Sequence, residues 1–238
     1  MRDSLNPPAL CRGARPRAAL ARIAGAFALL CAATCDAGNV RASIVATDGS
    51  PAPEVALALY GAAAPVYTGN ATAVMDQRNQ RFEPKLLVVR KNTEVSFPNS
   101  DDVRHQVYSF SPAKRFELRL YHGTPSAPVL FDTPGEVVLG CNIHDGMVGY
   151  IYVVDTPWFG SSDRQGQLSI AAVPPGSYRA QLWYPGAIAG ARGLEQTVTV
   201  GAGDTALSFR IDPPAPAAQP APASDLQQLF NRRSGNAP

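Results

Sequence analysis

The chain has 238 residues, 45% of them apolar, 17% charged and 8% aromatic, with 20 Gly, 22 Pro and a formal net charge of +2. This is a globular composition, neither collagenous nor wholly disordered, and the length accommodates one large domain or two small ones. Four Cys are too few for a disulfide scaffold, three His are too few for a multi-zinc protein, and the even charge balance argues against nucleic-acid binding by neutralisation of many phosphates.

Residues 1–22 carry Arg2, Arg12, Arg15, Arg17 and Arg22 against a single acid, Asp3, and an apolar run from Ile23 to Cys35 follows before the chain turns polar at Asp36. A basic start, a short apolar stretch and a small-residue exit have the form of a secretory signal and are too short to span a bilayer. The sequence therefore predicts a signal peptide over 1–37, export to the periplasm, and a mature chain without a transmembrane segment. Cleavage near Ala37 would leave 16 basic and 17 acidic residues, a net charge of −1, and would remove Cys11, Cys31 and Cys35. Cys141 is then the single cysteine of the mature chain. In an oxidising compartment a lone thiol is buried and inert, paired between molecules, or a metal ligand.

The elements that follow read as strands. Val40, Ala42, Ile44 and Ala46 alternate with Arg41, Ser43 and Val45 up to a turn at Asp48-Gly49-Ser50, and Val55 to Tyr60 forms a second strand. Further strands are predicted at Leu86 to Arg90, Thr93 to Phe97, Gln106 to Phe110, Phe116 to Tyr121, Val129 to Asp132, Glu136 to Gly140 and Val148 to Val154, separated by turn residues such as Lys91-Asn92, Pro98-Asn99 and Pro134-Gly135. A second strand-rich region spans 163–212. No segment sustains a 3.6-residue apolar period, so the expected class is all-β, built as Greek-key sandwiches or small barrels. Beyond Pro213 the composition collapses to Pro, Ala and Gln, which predicts a flexible tail over 213–238.

The chemistry concentrates at Gly140-Cys-Asn-Ile-His-Asp-Gly-Met147, where a thiol, an imidazole and a thioether fall at Cys-x2-His-x2-Met between two predicted strands. A second imidazole, His105, stands 36 residues upstream at the start of another strand, after Asn99-Ser-Asp-Asp-Val-Arg. Each residue alone has an ordinary explanation: an exposed or hydrogen-bonded histidine, a core methionine, a buried small thiol. Together, two imidazoles, one thiolate and a weak thioether match the donor set of a blue-copper electron-transfer site. His122 and Met75 fall outside the pattern.

From Phe82-Glu-Pro84 through Val95-Ser-Phe97-Pro-Asn99-Ser-Asp101, His105-Gln-Val107 and Phe131-Asp-Thr-Pro134-Gly135 to Cys141-Asn-Ile-His144-Asp-Gly-Met147, the chain resembles a small cupredoxin, with a ligand-loop spacing similar to amicyanin; the likeness covers roughly 73–157. The wording Met75-Asp-Gln and Gly140-Cys-Asn-Ile-His-Asp is also similar to exported bacterial proteins loosely labelled methylamine-utilisation or cupredoxin-domain proteins. The resemblance implies a Greek-key β-sandwich holding one copper ion that cycles between Cu(I) and Cu(II). His105, Cys141 and His144 would form the trigonal plane and Met147 the long axial ligand, with His144 as the exit route for the electron. Two departures bear on the surroundings of the site: Gln106 stands where the family often has Asn, and Ile143 and Asp145 flank the second histidine where amicyanin-like loops carry prolines.

The flanks carry a second, weaker resemblance. Asp163-Arg-Gln-Gly166, Val173-Pro-Pro-Gly176-Ser-Tyr178 and Leu182 are similar to the core of a carboxypeptidase-regulatory-like β-sandwich, whose usual opening strands are missing before residue 160 but present at residues 40–60. The expected organisation is opening strands of that second sandwich over 38–70, a cupredoxin domain over 71–157, and the remainder of the second sandwich over 158–212. The functional expectation is an exported single-electron carrier that is not an enzyme and meets a protein redox partner. The alternatives are a periplasmic copper-binding or copper-delivery protein and an interaction module.

Overall fold

A computed structural model of the chain describes residues 37–61, 71–125, 127–144, 146–187 and 194–212. The predicted signal segment up to Asp36, the Pro/Ala-rich tail and Asp145 lie outside the described residues. Within them the protein is all-β, in several sheets. In chain order the strands are β1 (Gly38–Ala46), β2 (Ala56–Gly61), β3 (Ala71–Val74), β4 (Asp76–Arg78), β5 (Arg81–Glu83), β6 (Leu86–Arg90), β7 (Thr93–Ser96), β8 (His105–Ser109) and β9 (Phe116–Tyr121). They continue as β10 (Val129–Phe131), β11 (Gly135–Gly140), β12 (Val148–Val154), β13 (Phe159–Ser161), β14 (Gln167–Val173), β15 (Gly176–Trp183), β16 (Glu195–Val200) and β17 (Asp204–Ile211). No helix among the described residues is long and apolar enough to cross a membrane.

The alternation of β1 decides how it packs. Val40, Ala42, Ile44 and Ala46 are buried while Arg41 faces solvent, as a period of two requires when one face meets a core. β1 ends in a turn closed by Asp48, whose Oδ1 accepts the backbone N–H of Ser50 (2.9 Å) and its hydroxyl (2.6 Å), with Gly49 at φ 88°. That left-handed conformation favours glycine. β2 instead buries four residues in succession, Ala56 to Leu59, because it is an inner strand with both faces covered.

These two N-terminal strands pair with strands from the far end of the chain. β1 lies between β14, to which it is antiparallel, and β17, to which it runs parallel from Asn39↔Asp204 to Ala46↔Ile211. β2 lies between β13 and β15 in the sheet β13-β2-β15-β16. The two sheets share one core: Val40, Ile44, Ile170 and Phe209 from the first meet Leu57, Leu59, Leu182 and Val198 from the second. A small β-sandwich is thus formed by segments on both sides of the middle of the chain, as the flank pattern led us to expect.

The middle of the chain builds the other sandwich. A five-stranded sheet, β6-β12-β11-β8-β9, and a three-stranded sheet, β10-β7-β3, enclose a core that includes Phe82, Val95, Phe97, Val107, Phe131, Leu139 and Ile151. β4 and β5 form a separate hairpin beside it. Strands β3, β4, β5 and β13 were absent from the sequence expectation. Each is only three or four residues long, too short to show a period.

The two sandwiches meet through Trp183 of β15. Its ring stacks on Tyr152 of β12, with centroids 4.7 Å apart and planes 7° from parallel, and Tyr150 approaches at 6.1 Å. Ala56 and Leu86 complete this small apolar cluster. Behind it, Thr156 on the connection from β12 donates its hydroxyl to Leu59 O (2.6 Å), and Trp158 N–H donates to Thr156 Oγ1 (3.3 Å). Because the buried Trp183 ring packs against both Tyr150 and Tyr152 of the other sandwich, Trp183→Ala is expected to lower stability by about 3–5 kcal/mol. Denaturant unfolding followed by circular dichroism checks this, and a loss below about 1 kcal/mol would show that chain connectivity, rather than the stack, couples the two halves.

Candidate metal centre

β8 alternates inward and outward, so His105, Val107 and Ser109 face the core while Gln106 and Tyr108 are less buried. His105 is completely buried. Next to it in the same sheet, β11 and β12 form a hairpin whose last pair is Gly140↔Val148, and the loop between them carries the other nominated residues. Cys141 and Met147, at the two feet of the loop, are both buried in the core of the sandwich. His144 is half-buried near the tip, beside Asn142 and Ile143, which are exposed. The loop closes on itself through Met147 N–H donating to His144 O at 3.3 Å.

The structure brings three of the four nominated residues together. Cys141 Sγ lies 3.9 Å from His105 Nδ1 and 3.8 Å from His144 Nδ1, and the two imidazole centroids are 4.7 Å apart. Their ligand atoms all fall within 4.8 Å of one another. The spacing tests the donor set: with bonds of about 2.3 Å to sulfur and about 2.0–2.1 Å to nitrogen, sulfur and nitrogen donors on one ion lie roughly 3.6–3.8 Å apart at tetrahedral to trigonal angles. Two Nδ1 atoms facing one Sγ at nearly that distance fit a single metal ion. Met147 belongs to the same buried cluster as Cys141. His122 is exposed and outside the group, and Met75 is a fully buried core residue.

Gly140 is held by a close approach. It pairs with Tyr108 of β8, and a Cβ at this position would come within 2.6 Å of Tyr108 Cζ. The tyrosine ring thus takes the place of a side chain immediately before Cys141. Gln106 does not tie β8 to the ligand loop; its amide donates to Glu117 Oε1 on β9 at 2.7 Å.

Sequence reading missed the residues that hold His105. Asp101 Oδ2 lies 2.7 Å from His105 Nε2, and the same carboxylate accepts the backbone N–H groups of Asn79 (2.6 Å) and Gln80 (2.9 Å). Burial works against its charged form, but the bonds from Gln80, His105 and Asn79 prevail and hold its carboxyl below the usual value. Asn99, also buried, accepts Asp101 N–H at 3.0 Å and donates to Val103 O (2.8 Å) and Tyr121 O (3.0 Å). Tyr121 donates its hydroxyl to Phe97 O at 2.7 Å and accepts from Gln77 Nε2. The available signal was an acid four residues before a histidine in a loop, a pattern too common to single out.

A family model described as polysaccharide lyase family 4, domain II, matches residues 142–208, less than half of the chain. A comparison with curated proteins finds no match. Among solved structures, the chain is similar to a copper-containing nitrite reductase from Thermus scotoductus, at 25% identity and a TM-score of 0.33, over 38% of this chain and 23% of that one. It is also similar to a purple cupredoxin from Nitrosopumilus maritimus (21% identity, TM-score 0.31, 35% of this chain and 99% of that one). A third similar structure is an amicyanin variant in its reduced Cu(I) form (18% identity, TM-score 0.31, 41% of this chain and 98% of that one). The match thus spans about a quarter of the nitrite reductase chain.

Burial pushes the phenol of Tyr121, beside the site, up to about 12, and does the same to Tyr60 on β2. In the unfolded chain both ionise near 10. The stability they contribute is therefore fully present below about pH 10 and is lost as the pH rises towards 12, because the unfolded chain releases these protons first. Denaturant midpoints between pH 9 and pH 12, read beside phenolate absorbance, are expected to fall across this window and to fall less in Tyr121→Phe.

Proposed function

We propose that the protein is an exported copper-binding carrier of single electrons, whose copper would be held by His105, Cys141 and His144, with Met147 as a fourth and weaker donor. The observation that carries this reading is the convergence of two Nδ1 atoms on one buried Sγ. Two imidazoles, a thiolate and a thioether form a donor set that would suit copper electron transfer. When bound, the metal supplies one-electron redox chemistry. The chain's own residues do the rest.

Cys141 and His105 supply donors from inside the core, where packing opposes a change of geometry between oxidation states. His144 is half-buried, and exposed Ile143 next to it gives the site an apolar edge at the surface. A redox protein that docks there would reach the ligand ring without opening the core. With Met147 as the fourth donor, the metal would have no open position for a substrate, so we read the centre as a carrier and not an enzyme. Export to the periplasm rests on the basic and apolar N-terminal sequence. In the second sandwich, Tyr178 donates its hydroxyl to Pro174 O at 2.8 Å across the Pro-Pro-Gly turn, a corner that supports its reading as a carboxypeptidase-regulatory-like module.

Loading the protein with Cu(II) is expected to produce an intense thiolate-to-copper absorption band in the visible, abolished by Cys141→Ser and by His105→Ala. Reversible voltammetry of the loaded protein is expected alongside it. A colourless protein that takes up only Cu(I) would overturn electron transfer in favour of copper handling.

A further inference from the structure

His105 has no exposed surface, and its two ring nitrogens point at different partners: Nδ1 at Cys141 Sγ and Nε2 at Asp101 Oδ2. A neutral imidazole carries one N–H, and which nitrogen holds it is decided by what the other atoms accept. An ionised carboxylate only accepts, so at 2.7 Å from Asp101 the proton belongs on Nε2. Nδ1 is then left with its lone pair directed towards the thiol.

The carboxylate is itself pinned. β4 and β5 are joined by a two-residue turn in which Asn79 (φ 52°) and Gln80 (φ 57°) are both left-handed, a conformation usually left to Asn-Gly or Gly-Gly. Consecutive N–H groups in such a turn converge on one point and favour an anion there. Asp101 occupies that point, with Oδ1 on Asn79 and Oδ2 on Gln80 and His105. Ser100 adds two ties to the hairpin, from its N–H to Gln77 O (2.9 Å) and from its hydroxyl to Asp76 Oδ2 (2.9 Å).

We propose that Asp101 is the positioning residue of the centre: anchored by the Asn79–Gln80 turn, its carboxylate takes the Nε2 proton of His105 in a hydrogen bond and so sets the one tautomer whose Nδ1 can bind metal. The metal half of this proposal rests on the copper reading; the tautomer half does not. A carboxylate partner makes the imidazole a stronger donor and places negative charge behind it, which favours the oxidised ion. Asp101→Asn keeps an oxygen for Nε2–H but removes the charge. Asp101→Ala removes both.

The experiment uses the full chain in two states. In the metal-free protein, long-range nitrogen–proton NMR of the His105 ring is expected to show the Nε2–H tautomer with a slowly exchanging proton, and Asp101→Ala is expected to lose that tautomer and the slow exchange. In the copper-loaded protein, Asp101→Ala is expected to weaken Cu(II) binding by about 10–100-fold, Asp101→Asn to raise the reduction potential, and the exposed neighbour's variant Asp102→Asn to change neither. If loss of the carboxylate unfolds the turn, the same Asp101 variants are measured with Asn79→Gly and Gln80→Gly present, which relieves the left-handed strain without touching His105. An Nδ1–H tautomer in the parent protein, or Asp101→Ala with unchanged tautomer and affinity, overturns the positioning role. Failure to bind copper, with the tautomer still dependent on Asp101, would instead sink the copper reading and leave the positioning role standing.

Discussion

A completely buried imidazole is the constraint around which the site is arranged. A polar group taken from water into a core of Phe97, Val107 and Phe131 costs about 1–3 kcal/mol if it finds no partner. His105 avoids that cost at Nε2 only because the loop from Asn99 to Arg104 folds back and delivers Asp101. The loop is held folded back because Asn99 satisfies two of its backbone groups, Asp101 N–H and Val103 O, and ties it to Tyr121 O on β9, while the β4–β5 turn supplies the donors that hold the carboxylate. Several polar side chains near the site thus serve one ring. Its remaining nitrogen is left facing a thiol.

The ligand loop shows how the core can hold one side of a site while the other stays within reach of solvent. Cys141 and Met147 are drawn into the apolar interior at the feet of the loop, and the short span between them leaves Asn142, Ile143 and His144 at or near the surface. A longer loop would lose more entropy on ordering and hold His144 less firmly. Gly140 contributes by having no side chain, since Tyr108 already fills that space.

The second sandwich depends on a different economy. Its two sheets use β1 and β2 from one end of the chain and β13 to β17 from the other, so its pairings close a long loop that contains the middle of the chain, at a cost in entropy that grows only slowly with loop length. Trp183, flat on Tyr152, joins its core to the outer face of β12, the strand that also carries the chain away from the ligand loop. The two sandwiches therefore pack against each other through separate sheets.

Much of this was legible in the residues. Alternation in β1 marked a strand because it buries one face, and Cys-x2-His-x2-Met marked a donor set because Cys141 is the single cysteine left after the predicted signal segment. The parallel pairing of β1 with β17 was not legible because partners so far apart in sequence leave no local signal of their pairing, and β3 to β5 were not legible because each is too short to show a period. An acid four residues before a histidine is too common to mark Asp101 as a partner, and its anchoring bonds to Asn79 and Gln80 cross more than twenty residues. By itself the sequence determined which donor atoms exist and which strand faces are apolar, because both are properties of local residue type and spacing. Only the tertiary structure decided that His105 meets Cys141, which of its nitrogens does so, and what holds the other, because those depend on strand register and on loops that close across the core.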